Sequence, residues 1–339
     1  MLKQNKFSKI LSELGTLLAL IILCVILTIA TPNFLKVDNL MNILKQTSVN
    51  ALISAGMLVC LITGGIDLSV GANAITCTCL MGLMLTKGID NAVIMIIAVL
   101  VLGTLIGFIN GTLLTRLHLP HPFVSTLGMK NVLSGVALLL VNSKMVSGFG
   151  KDIMWLGSHS AGSFTYGAGK QFPGVPVSFI LVIILFAIMG VFLSKTALGR
   201  SIYCVGGNAE AARLSGINSA NVLTFCYALS GFFCAVAGIV IVGRTGICNG
   251  ANATQPYETD AIAACIIGGA SFLGGKGTMR GTMIGALIIS VIRNGLTLLS
   301  ASSAIQFVVL GLVIILAVLI DITRQQFAVK ARRLAMASK

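Results

Sequence analysis

Apolar runs constrain this chain more than any single motif in it. They succeed one another across residues 14–320, separated by short polar stretches. A helix needs about 20 such residues to cross the hydrocarbon of a bilayer. Only 9% of residues are charged, against about a quarter in an ordinary globular chain. With 56% hydrophobic residues and a mean hydropathy of +1.01, the chain has too little polar surface to cover a water-soluble core. It reads as an all-α polytopic membrane protein with about ten spans. Their expected ranges are 14–30, 48–63, 69–86, 91–114, 122–141, 176–193, 222–243, an eighth from 257, then 281–299 and 305–320.

Between the second and third runs stands Gly64-Gly65-Ile66-Asp67-Leu68-Ser69-Val70-Gly71. An acid at membrane depth is costly unless it caps a helix, pairs, or meets water. Asp67 or Ser69 can accept from the free N–H groups of the next helix, and the glycines permit a sharp turn or close packing. The stretch reads as a helix break. Gly268-Gly269-Ala270-Ser271-Phe272-Leu273-Gly274-Gly275-Lys276-Gly277 echoes it, a weak sign of two related halves, each with a broken helix pair. The second stretch is not a phosphate-binding loop, because Lys276 is followed by Gly277 and no strand precedes it.

Other polar groups stand inside apolar runs. Gly103, Gly107 and Gly111 are four apart and make a flat face for helix packing, beside which Asn110 needs a partner in the bundle or water in a cavity. Lys130 can line a polar path, pair with an acid, or snorkel to an interface. Arg293 needs an acid, backbone carbonyls or the interface. Gly281 and Gly285 are spaced for close packing, and Glu258 and Asp260 read as a negative cap on the first turn of their helix. Residues 195–218 are the least apolar interior part. There Asn208 is a fair N-cap for a short helix over 209–214 that ends at Gly216 and presents Glu210 and Arg213 outward. Residues 142–175 form a long loop with room for a short interfacial helix around Trp155, the only tryptophan.

The net charge is +14, from 23 Lys and Arg against 9 Asp and Glu. These basic residues are thinly spread between apolar runs, so membrane anchoring explains them better than nucleic-acid binding. Only the tail 324–339 is locally dense, and it suits contact with anionic lipid. With the N-terminus inside, short inner segments carry roughly twice the basic residues of the outer ones, which places both termini in the cytoplasm. Lys3, Lys6 and Lys9 precede a long apolar run without a small-residue cleavage site, so the start reads as a span rather than a signal peptide. The nine cysteines hold no CxxC, and His118, His121 and His159 have no metal spacing. No nucleophile–base pair, metal site or cofactor site is visible, and neither is a repeated polar filter of the kind a channel needs.

Here the chain resembles the inner-membrane permeases of bacterial ABC importers for simple sugars, the ribose-type group. The resemblance rests on Gly65 to Gly71, Gly206-Gly207-Asn208 with Glu210-Ala211-Ala212-Arg213-Leu214-Ser215-Gly216-Ile217, Asp260-Ala261-Ile262-Ala263-Ala264, Gly268-Gly269 with Gly274-Gly275-Lys276-Gly277, and Gly281-Thr282 with Ile284-Gly285-Ala286. These motifs recur in order over residues 33–321. The resemblance implies a single permease domain over 1–339, with 195–218 as a cytoplasmic coupling loop and 142–175 as a periplasmic loop. It implies a second permease chain, identical or related, a cytoplasmic ATPase that holds ATP and Mg, and a periplasmic sugar-binding protein. Asn208, Glu210, Ala211, Arg213, Leu214 and Gly216 would form the element that docks on the ATPase.

Three positions depart from the family pattern. Thr259 stands where an apolar residue is usual, Pro120-His121-Pro122-Phe123 where Pro-Pro-Phe is common, and Lys130 where the residue is usually uncharged. They weaken a transfer of ribose itself and leave xylose, galactose or allose open. Permeases for branched-chain amino acids or a signalling sugar derivative, and a non-transporting membrane scaffold, are the alternatives.

Overall fold

The computed structural model of the chain describes residues 6–117, 119, 121–166 and 170–337. Lys3, His118, Pro120 and Lys339 lie outside them, as do the side chains of Lys6, Lys9, Lys170 and the basic tail. Among the described residues the helices are α1 (Lys6–Ala30), α2 (Val37–Ile62), α3 (Val70–Thr86), α4 (Ala92–Thr115), α5 (Pro122–Leu140), α6 (Lys151–Ser158), α7 (Val177–Lys195), α8 (Ala197–Gly207), α9 (Ala209–Leu214), α10 (Ser219–Thr245), α11 (Tyr257–Ile267), α12 (Met279–Leu298) and α13 (Ser303–Ala337). The chain is an all-α polytopic bundle. α2, α4, α5, α7, α10 and α12 are each long and apolar enough to cross a membrane. Gly15–Ala30, Val70–Thr86 and Ser303–Leu319 are shorter apolar stretches, and α11 is a half-length helix of 11 residues.

Local chemistry sets many of the boundaries. Asn91, Asn218 and Thr278 each accept a backbone N–H in the first turn of α4, α10 and α12. Pro122 opens α5, where its missing N–H costs nothing. Gly246, in the left-handed region, closes α10.

Among the six long helices α2 and α10 are the most buried, and the shorter α3 and α11 are buried along most of their length beside them. In α2 and α10, 78% and 72% of the most apolar stretch is buried, whereas α4, α5 and α7 bury only 22–28% of theirs. The exposed faces of those three carry Leu105, Phe108, Val132, Ile184 and Ile188, an apolar surface suited to lipid chains. The Gly103–Gly107–Gly111 face of α4 lies directly on α10, as its spacing predicts. A Cβ on Gly107 would fall on the Tyr227 carbonyl, one on Gly103 would meet the Gly231 carbonyl at 2.7 Å, and one on Gly111 the Thr224 Cα at 2.6 Å. Without a hydrophobic force between helices in lipid, this close backbone contact is what holds them. Gly107→Val should therefore leave little folded permease. The check is the yield of monodisperse protein in detergent, and wild-type yield would contradict this packing.

Several boundaries depart from the sequence expectation: α1 starts at Lys6 rather than 14 and α13 runs on to Ala337 rather than 320. α2 starts at Val37 rather than 48. Its polar first turns find partners: the Asn39 and Asn294 amides exchange two hydrogen bonds, at 3.0 and 2.8 Å, and tie α2 to α12. Residues 197–207, read as part of a loop, are helical as α8 and capped by Thr196, whose hydroxyl accepts the Gly199 N–H at 2.9 Å. In the 142–175 segment, α6 is the short helix the sequence left room for. Its half-exposed Trp155 stacks on His159, with ring centroids 5.5 Å apart.

Candidate functional site

The first helix break turns at the end of α2. Gly64 has a φ of 79°, a conformation that excludes most side chains. Asp67 is buried, and its partners are neutral. One carboxylate oxygen accepts the Ser69 N–H at 3.0 Å and the Ser69 hydroxyl at 2.6 Å; the other accepts the Ser230 hydroxyl of α10 at 3.2 Å. The Asn110 amide of α4 donates to the Ser69 hydroxyl at 2.8 Å. The Ile66 carbonyl accepts from Thr126 of α5 at 3.2 Å and from the Tyr227 hydroxyl of α10 at 3.5 Å. A Cβ on Gly65 would crowd that hydroxyl at 2.6 Å. The break is thus gripped by three helices through polar side chains. Sequence reading brought Asp67, Ser69 and Asn110 to notice but missed Thr126, Tyr227 and Ser230. Their signal was a hydroxyl inside an apolar run, which is common and therefore weak.

The second break, between α11 and α12, touches the first. The Gly275 N–H donates to the Ile62 carbonyl at 2.8 Å. A Cβ on Gly274 would lie 2.7 Å from the Gly206 carbonyl and 2.9 Å from the Gly64 nitrogen. A Cβ on Gly206 would fall on the Ile62 carbonyl and lie 2.8 Å from the Gly275 nitrogen. The end of α8 and both breaks therefore meet backbone to backbone at a glycine node. The Tyr203 hydroxyl of α8 adds a bond to the Gly277 carbonyl at 2.8 Å. Burial pushes that phenol's pKa up. Gly268 faces the backbone of Gly281, Gly285 faces the Ala264 carbonyl, and Gly269 has open space around it. The first two glycines bring α11 and α12 into contact.

The N-terminal turn of α11 holds two more buried acids. Glu258 pairs with Lys130 of α5, and Asp260 takes a two-pronged pair from Arg293 of α12, at 2.7 Å from Nε and 2.8 Å from Nη2. Two residues apart on a helix point in nearly opposite directions, so each acid reaches a different neighbour. These carboxylates do more than cap the helix, and Lys130 and Arg293 both end on α11 rather than on Asp67. Gly71 lets this turn approach α3: a Cβ there would lie 2.9 Å from Glu258 Oε2. Beside Asp260 and Arg293 opens a cavity of about 260 Å³ between α2, α10, α11 and α12.

α9 follows α8 directly and is seated on the bundle through the buried Ala212. The Asn208 side chain accepts the Ala211 N–H at 2.9 Å, as its N-cap reading expects, and Gly216 follows the helix with a φ of 82°. Arg213 grips Glu210 through two bonds, at 3.0 and 2.6 Å, with both side chains largely exposed. That guanidinium holds the Glu210 carboxyl below its usual range and is itself raised. Leu214 is 75% exposed, an apolar side chain at the edge of a charged turn.

A polytopic helical bundle with buried polar groups along two broken helix pairs, joined to a short exposed polar helix, has the makings of a membrane transport subunit. Residues 39–318 match the family described as branched-chain amino acid transport system / permease component, and the chain belongs to that family of bacterial ABC-importer permeases. It is 40% identical over 319 residues to the ribose import permease protein RbsC of Bacillus subtilis (strain 168), covering 94% of this chain and 95% of that one. It is 40% identical over 318 residues to RbsC of Escherichia coli (strain K12), covering 93% and 95%. To the galactose/methyl galactoside import permease protein MglC of the same strain it is 35% identical over 337 residues, covering 94% and 97%. No solved structure matches the chain. Membership makes the chain a multi-pass inner-membrane permease subunit, which moves a solute rather than catalysing a reaction.

Proposed function

We propose that this chain forms the pathway through which an ABC importer passes a monosaccharide of the ribose type into the cytoplasm. The observation that carries this is the similarity to ribose import permeases over nearly the whole of both chains. The family description supplies a second reading, branched-chain amino acids; the sugar relatives make it the less supported of the two.

In this reading two permease chains, identical or related, sit side by side in about ten passes each, with both termini cytoplasmic and two related halves per chain. A periplasmic protein delivers the sugar at the outer face, beyond the 142–175 loop. A cytoplasmic ATPase binds ATP and Mg and closes on hydrolysable nucleotide. The 195–218 segment is the coupling loop, and α9 docks in the ATPase. Displacement of α9 moves α8, and the node formed by Gly64, Gly206, Gly274 and Gly275 carries it to both breaks. Asp67, Ser69, Gly71 and Asn110 then shift with the first break, and the second moves with α11 and α12. Rigid backbone contact suits this role, since packed elements switch between discrete arrangements rather than deform smoothly.

Removing both charges of α9, as Glu210→Ala with Arg213→Ala, should cut ATP-driven uptake by about tenfold or more, as a coupling free energy of a few kcal/mol implies. Uptake per permease molecule in the membrane is the readout. Unchanged uptake would favour a scaffold role over a coupled transporter.

A further inference from the structure

Just past the end of α10, the strand Ile247–Cys248 pairs antiparallel with Val146–Ser147. This two-residue clasp lies against α3. There the Cys248 sulfur fills the space that Gly82 leaves open, since a Cβ on Gly82 would fall on it. Gly82 follows Cys79 by three residues, so the two share one face of α3. The Cys79 thiol donates a hydrogen bond to Cys248, and both side chains are buried. We propose that Cys79 and Cys248 are a redox pair that closes to a disulfide and staples α3 to the clasp beyond α10.

Three observations carry this. The first is geometric. Two thiols in hydrogen-bond contact have their side chains turned toward each other, as a disulfide requires. The second is reactivity. The hydrogen bond from Cys79 holds the Cys248 thiol below its usual pKa range, aided by backbone hydrogen bonds from Val146 and Gly82 and opposed by burial. The thiolate is the nucleophile in disulfide exchange, so Cys248 attacks and Cys79 resolves. The third is contrast with other buried thiols. Cys60 bonds to the Cys226 carbonyl at 3.9 Å, Cys77 to the Val99 carbonyl at 3.8 Å and Cys265 to the Ser54 carbonyl at 3.3 Å. Those thiols face backbone oxygen rather than a second sulfur.

The clasp is only two residue pairs long, and a short ladder outside the core opens more readily than a packed helix. Opening admits a small disulfide, R–S–S–R. The Cys248 thiolate attacks one of its sulfurs, which forms a mixed disulfide and releases R–S⁻. Cys79 then attacks the Cys248 sulfur and releases the second R–S⁻. The two thiol protons pass to the two leaving thiolates, so two cysteines are oxidised and one disulfide is reduced to two thiols. In the orientation proposed above, on which this inference rests, the clasp adjoins the 142–175 loop at the periplasmic face, where disulfides persist.

The test uses the full chain in right-side-out and inverted membrane vesicles. The probe is oxidised glutathione, which does not cross the bilayer. Vesicles are reduced, freed of reductant and exposed to the probe; the protein is then denatured, its free thiols alkylated and its peptides read by mass spectrometry. In right-side-out vesicles Cys79 and Cys248 should lose most of their alkylation together, as one linked peptide pair, while Cys60, Cys77 and Cys265 keep theirs. Added reductant should restore both. Cys79→Ala should leave glutathione stranded on Cys248, whereas Cys248→Ala should leave Cys79 alkylated as in the reduced wild type. In detergent the oxidised wild type should melt about 5 °C above its reduced form, in line with one added cross-link, and Cys79→Ala should show no such gap. Full alkylation of both cysteines in vesicles of either sidedness would overturn the pair and leave the orientation standing. Closure in inverted vesicles alone would overturn the periplasmic placement of the clasp, and with it the reading that both termini are cytoplasmic.

Discussion

Gly206→Val should abolish ATP-driven uptake while ATP hydrolysis by the assembled importer persists. The new Cβ would land on the Ile62 carbonyl and within 2.8 Å of the Gly275 nitrogen, where those two groups already share a 2.8 Å hydrogen bond. Backbone cannot swing away as a flexible side chain can. Overpacking of this kind usually costs about 1–3 kcal/mol, and the simplest relief is for α8 to part from the two breaks. Force arriving through α9 would then reach neither. Uptake is expected to fall by about 100-fold, the effect of some 2.7 kcal/mol of lost coupling. Gly207→Ala is the matched control, because a Cβ there meets nothing within 4 Å. Uptake by Gly206→Val at the rate of Gly207→Ala would mean that the node transmits nothing.

The second large effect concerns Glu258. It is 4% exposed, Lys130 is its ion-pair partner, and its Oε2 has no hydrogen-bond partner among the described residues. Lys130→Leu would leave a carboxylate at membrane depth without its cation. Breaking one side of a buried pair costs about 3–5 kcal/mol, enough to lower the yield of folded permease sharply. Adding Glu258→Leu should recover most of that loss, because replacing both charges removes the stranded ion as well as the pair. The comparison is the fraction of monodisperse permease left after a fixed thermal challenge in detergent. A double variant as labile as Lys130→Leu would show that the pair itself holds α11 in place.

These two sites mark the limits of legibility in the chain. The membrane-spanning class could be read from the apolar runs because lipid leaves a polar backbone few alternatives to the helix. The Asp67 break could be read because one carboxylate between apolar runs has few explanations. Asn208 and Gly216 bracket α9 with ordinary capping chemistry, and the Gly103–Gly107–Gly111 spacing placed α4 on α10. What escaped were relations between distant residues. Glu258 and Asp260 looked like a helix cap because their cations are 128 and 33 residues away. The node escaped because glycine has no side chain to advertise a contact: Gly64, Gly206 and Gly274 meet only in three dimensions. Residues 197–207 read as loop because Gly199, Gly206 and Gly207 lower helix propensity. Two of those glycines are there for close contact, Gly199 against the backbone of Phe192–Leu193 and Gly206 at the node.

The central claim is that this chain carries a sugar, and uptake tests it most directly. Cells with and without the chain, its ATPase partner intact, are given radiolabelled D-ribose, D-xylose and D-galactose at micromolar concentration. The account predicts that removing the chain abolishes high-affinity uptake of at least one of them, and that restoring the chain restores it. Unchanged uptake of all three, with loss of L-leucine uptake instead, would contradict it.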